Sequence, residues 1–138
     1  MKKGKLNIFS KLKANPKQIF LVDAFGAFLT AVILFGVFLK FEKYFGMPGN
    51  ILFVLSGWAF CLFVFSIGCH RFIKSNWKPF LRIIIVCNVI YTMVSLRLII
   101  MHAEKLTGSG WIYFLLEIIV IGTIVSIEIQ SYLNQHQL

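Results

Sequence analysis

Four stretches of this chain are each long and oily enough to cross a lipid bilayer, and that constrains the fold more than anything else in it. A spanning helix needs about 20 mostly apolar residues, because the hydrocarbon core is about 30 Å thick and each helical residue advances about 1.5 Å. The blocks run from Lys17 to Leu39, Pro48 to His70, Pro79 to His102 and Gly110 to Leu133. Only 14% of the 138 residues are charged and 59% are hydrophobic, whereas soluble domains run near a quarter charged. These features predict an all-α integral membrane four-helix bundle. The first block is too long for a secretory h-region, and "FGVFLKFEK" after it lacks a small-residue cleavage site, so it reads as retained.

The connections are short, so consecutive helices are expected to be antiparallel neighbours in an up-down-up-down bundle. Gly46-Met47-Pro48 and Thr107-Gly108-Ser109-Gly110 supply the breaks. The chain divides into a basic segment over 1–16, one transmembrane domain over 17–133 and a short tail over 134–138. The opening stretch carries lysines 2, 3, 5, 11, 13 and 17 around Leu6, Ile8, Phe9 and Leu12. It fits a short helix lying on anionic lipid, and equally an unstructured positive-inside tail. Asn15-Pro16 reads as N-cap and first-turn residue of the first span.

The formal net charge is +9. In a soluble domain that would suggest nucleic acid, but here the basic residues lie between apolar blocks, and no nucleic-acid partner is expected. With the six lysines, Arg71, Lys74, Lys78 and Arg82 bring ten basic residues to one side; Lys40, Lys43 and Lys105, partly balanced by Glu42 and Glu104, bring three to the other. The asymmetry predicts cytoplasmic N- and C-termini. Trp77, Trp111, Tyr44, Tyr113 and Tyr132 fall near span ends, where amphipathic rings favour the interface. Trp58, halfway along its span, is the exception.

Five ionisable side chains lie within the spans: Asp23, Arg82, Arg97, Glu117 and Glu128. Each costs about 2.5 to 3.5 kcal/mol at a helix centre if ionised and unpaired. A hairpin turning symmetrically about Thr107 sets Arg97 and Glu117 at one depth, which predicts a buried salt bridge that locks the register. Glu128 projects within about 20° of Glu117 on the same face, with Tyr113, Ile121 and Ile124. Asp23 and Glu128, near the cytoplasmic end, are expected either to share a proton or compete for Arg82, or to snorkel to water. Ala24, Ala27 and Ala31 beside Asp23, with Gly26 and Thr30, suit close helix packing. Asn88, Thr92 and Ser95 form a polar stripe that reads as interhelical glue before it reads as a polar path.

Cys61 and Cys87 match in depth if the second hairpin turns about Lys74, but no Cys-x-x-Cys accompanies them and a redox role is set aside. His70 and His102 belong at opposite surfaces, which argues against a shared haem or metal. There is no phosphate-binding glycine loop, nucleophile elbow or HExxH. No cofactor and no enzymatic activity are expected.

The run "NPKQIFLVDAFGAFLTA", with "FGMP", "WKPFLRI" and "EKLTGSGWIYFLLE", resembles short uncharacterised four-span membrane proteins of bacteria. The resemblance covers nearly the whole chain and implies a bacterial inner membrane, but brings no activity. Size and span count are also similar to the small multidrug resistance transporters. The charge asymmetry and the membrane-end position of Asp23 depart from their central acid in the first helix, and that assignment is not adopted. The leading expectation is a non-enzymatic accessory protein, pinned by Arg97 and Glu117, that works through lipids, a membrane protein partner or a homo-oligomer. The competing one is a proton- or ion-coupled small transporter using Asp23, Glu117 and Glu128.

Overall fold

The computed structural model describes residues 16–36 and 40–134. It is all-α, with helices α1 (Pro16–Gly36), α2 (Glu42–Phe45), α3 (Gly49–Phe72), α4 (Lys78–Met101) and α5 (Gly108–Asn134). Among the described residues, four stretches are long and apolar enough to cross a membrane: Lys17–Gly36, Gly49–Phe72, Lys78–Met101 and Gly108–Leu133. These are the four expected blocks, shifted by a residue or two where their ends are described. The expected surface segment up to Asn15, the N-cap Asn15 itself and the tail after Asn134 lie outside the described residues.

Proline marks two of the helix starts. Pro16 opens α1 and Pro79 sits in the first turn of α4, where a missing N–H costs nothing because it would have no intrahelical partner. The α3–α4 connection turns at Asn76, with φ 61°, a left-handed conformation that asparagine tolerates better than most residues. At the opposite end, Gly46 adopts φ +75°, and a Cβ there would sit 1.9 Å from the carbonyl oxygen of Lys105. Thr107 Oγ1 donates to the Tyr44 carbonyl. The two connections at the Gly46 end are therefore locked against each other, and only glycine leaves room for the contact.

α1 packs along the length of α3. His70 Nδ1 donates to the Lys17 carbonyl (2.7 Å), Ser66 to Asp23, and Ser56 Oγ to the Ala31 carbonyl (3.1 Å), so the two helices run in opposite directions. Small residues allow the approach: Ala24, Ala31 and Ala59 are all buried. The interior holds two apolar clusters. Ile19, Phe20, Cys69, Leu81 and Ile84 fill the basic end, near His70 and Lys78. Leu34, Met47, Leu52, Leu55, Ile99 and Phe114 fill the Gly46 end. The outward faces are equally apolar; Phe25, Val54, Met93 and Ile119 are each more than 60% exposed. Helices apolar on every side are buried in protein or in lipid, and exposure on this scale leaves lipid.

Candidate functional site: two polar layers in the bundle core

Between the two apolar clusters lie side chains that an oily interior should reject. Asp23, Ser66, Asn88, Ser95, Glu117 and Glu128 are all buried. Their spacing explains how they meet. On α4 the buried positions are Leu81, Ile84, Asn88, Tyr91, Ser95 and Ile99, one stripe at helical steps of three and four. On α5, Phe114, Glu117, Glu128 and Ser131 are buried and share a face by the same periodicity. Ser66 continues the buried stripe of Leu55, Ala59 and Leu62 on α3.

The first layer gathers around Asp23. Its Oδ1 accepts from Asn88 Nδ2 at 2.7 Å, and its Oδ2 accepts from Ser66 Oγ. The Glu128 carboxyl is close enough to Asp23 and Asn88 to interact with both. Glu128 is 0% exposed, and neither of its oxygens has a hydrogen-bond partner among the described residues. The expectation that Glu128 snorkels to water is thereby corrected: its stripe turns it inward, against α1. Arg82 does not join this group. It is exposed, one residue past buried Leu81 on the stripe, so it faces away from both acids.

The second layer centres on Tyr91. Its hydroxyl donates to Glu117 Oε1 at 2.7 Å, and its ring meets Trp58 edge-on at 5.9 Å. Trp58 thus sits mid-span because it packs on the core tyrosine. Tyr113, one turn before Glu117 on α5, lies within electrostatic range of its carboxyl. Glu117 Oε2 and Ser95 Oγ are buried without a hydrogen-bond partner among the described residues. Thr92 spends its hydroxyl on the Asn88 carbonyl at 2.9 Å, a local bond within its own helix.

The expected Arg97–Glu117 salt bridge is absent, and no ion pair forms among the described residues. Two errors of placement account for it. The α4–α5 connection centres between Glu104 and Lys105 rather than on Thr107, so Glu117 stands level with Thr92 and its neighbour Tyr91. Arg97 also lies about 120° around the helix from Tyr91 and is exposed. It lies one turn from the end of α4, within the distance over which a long arginine stem can snorkel. Tyr91 and Ser66 are the site residues that sequence reasoning missed. A tyrosine midway along an apolar block, far from either interface, was the available signal for the first; serine at the buried spacing among phenylalanines was the signal for the second.

A cavity of about 30 Å³ lies between the layers, lined by Asp23, Gly26, Ala27, Thr30, Asn88 and Tyr91 together with aliphatic side chains of α3 and α5. Cys61, Cys69 and Cys87 are free thiols. His102 Nδ1 donates to the Leu98 carbonyl at 3.0 Å, closing the end of α4. The chain matches no family model, no curated protein and no solved structure.

Proposed function

We propose that this protein is a proton-coupled small transporter of a bacterial inner membrane, with Asp23 and Glu128 as the coupling site. The observation that carries the reading is the burial of these two carboxyls side by side, on α1 and α5, with no salt bridge to either among the described residues. Two neighbouring carboxylates repel, and a low-dielectric interior magnifies the repulsion. A proton held between them relieves it. A purely structural pair would be expected to have its oxygens satisfied, and those of Glu128 have no hydrogen-bond partner among the described residues. Buried acids of this kind are the usual carriers of relays in spanning helices. The accessory-protein reading drew its weight from an Arg97–Glu117 lock, which the described residues lack.

The size of the cavity favours the proton over larger ions. About 30 Å³ accommodates a water, which needs roughly 10–15 Å³ of such space, but not a hydrated metal ion. By the charge of its loops the basic end faces the cytoplasm together with both termini, and the lysines before Pro16 hold that end to anionic lipid. Purified protein in liposomes carrying an internal pH dye tests the reading. Wild type is expected to dissipate an imposed proton gradient, and Asp23→Asn and Glu128→Gln to lose that flux while remaining helical and monodisperse. Silent wild-type vesicles, with another membrane component co-purifying, would instead favour the accessory role.

A further inference from the structure

We infer that Tyr91 carries protons between two carboxyl stations, Asp23 with Glu128 on one side and Glu117 on the other, through a water held in the cavity between them. The inference rests on the transport reading and gives it a route. Eleven residues separate Glu117 from Glu128 on α5, about 16 Å along the axis, too far for direct transfer. The gap is not empty of polar groups. Asp23, Asn88 and Tyr91 all line the one cavity, and the far side of Tyr91 is already bonded to Glu117 Oε1 at 2.7 Å. Tyr91 thus lines the cavity and is hydrogen-bonded to Glu117.

A buried water needs two to four polar partners. Asp23, Thr30, Asn88 and Tyr91 offer them, and the cavity's volume of about 30 Å³ admits little else. In the step itself, a proton leaves the Asp23–Glu128 pair for the cavity water. The water passes one of its own protons to the Tyr91 oxygen as the Tyr91 hydroxyl proton moves onto Glu117 Oε1. One proton enters and one leaves, and the water and phenol finish with their O–H bonds turned about. Rotation of both restores the starting arrangement. Turning of the Glu117 carboxyl then carries that proton to the side where Oε2 lies, buried and without a hydrogen-bond partner among the described residues, and from there it continues toward the Gly46 end.

Two substitutions interrupt this route at different atoms. Tyr91→Phe deletes the hydroxyl and keeps the ring that packs on Trp58. Gly26→Ala adds a methyl at the cavity wall, 3.0 Å from the movable end of Ile124, and leaves the phenol untouched. In the same vesicle assay each is expected to slow proton flux by about tenfold or more, with wild-type helicity retained. Infrared difference spectra supply a readout that loss of packing would not mimic. The carboxyl band that disappears in Glu117→Gln should shift in Tyr91→Phe, and a weakly bonded water O–H band should vanish in Gly26→Ala. If wild type conducts and Tyr91→Phe conducts equally, the relay is wrong and the transport reading stands. If Tyr91→Phe fails but Gly26→Ala conducts normally with its water band intact, the cavity is not the route. A wild type without flux overturns both readings together.

Discussion

The two polar layers solve the same problem with different means. The Asp23 layer takes one side chain from each long helix: Asp23 from α1, Ser66 from α3, Asn88 from α4 and Glu128 from α5. The Tyr91 layer is a matter of one hairpin, with Tyr91 and Ser95 on α4 and Glu117 on α5, and a tryptophan edge closing it from α3. The first layer also carries two carboxyls served by an amide and a hydroxyl, while the second carries one carboxyl served by a phenol. The first therefore both ties the bundle together and holds more acid than its donors satisfy. A cluster meant only for cohesion would be better served by fewer acids. Under the proposed transport reading, that excess would serve a proton that comes and goes, and the smaller second layer would receive it.

This contrast has consequences for stability. Asn88→Leu, which removes the amide donor to Asp23, is expected to have the largest effect, about 3 kcal/mol, because it leaves a buried carboxyl short of a donor and loosens all four long helices. Unfolding in mild detergent monitored by circular dichroism measures it, and a loss below about 1 kcal/mol would mean that the layer does not hold the bundle together. Tyr91→Phe should cost less, about 1 to 2 kcal/mol, with the added hydrogen exchange confined to α4 and α5. Exchange that spreads into α1 would erase the distinction between the layers. Glu128→Gln should move the other way, raising stability by about 1 kcal/mol, since it removes a carboxyl whose oxygens lack partners among the described residues and offers Asp23 a donor. A variant more stable than wild type yet unable to carry protons is the signature of a residue kept for function against stability.

Much of this architecture was legible in the sequence, and the limits of what was legible are instructive. The four apolar blocks placed every long helix, because length and hydropathy are properties of a segment by itself. Burial of Glu117 was equally foreseeable, since ionisable groups avoid lipid; for Asp23 and Glu128, near a span end, the sequence left burial and snorkelling to water both open, and the structure buries them. Partnership was not foreseeable, because it depends on where a turn is centred and on which face a side chain leaves its helix. A shift of two or three residues in the centre of the α4–α5 turn exchanged Arg97 for Tyr91 opposite Glu117. Asn88 shows the same limit: its stripe was visible, but not that Asp23, sixty-five residues earlier, would be its partner. The cavity could not be read at all, for it arises where Gly26 and Ala27 leave space beside Asn88 and Tyr91.

The smallest expected effect decides the most about the second layer. Arg97 is exposed and sits away from Tyr91 around α4, so Arg97→Gln should change stability by less than about 0.5 kcal/mol, as surface substitutions do. Combined with Glu117→Gln, it should be additive within about 0.5 kcal/mol. Tyr91→Phe combined with Glu117→Gln should instead show a coupling of about 0.5 to 3 kcal/mol, because both remove one hydrogen bond. The paired cycles separate two physical pictures of one carboxyl. Coupling to Arg97 would make Glu117 a fixed anion held by a guanidinium, unable to accept a proton in passing. Coupling to Tyr91 alone leaves it a carboxylate held by a phenol and by no cation, the form that the proposed relay needs to take the proton that the phenol gives up.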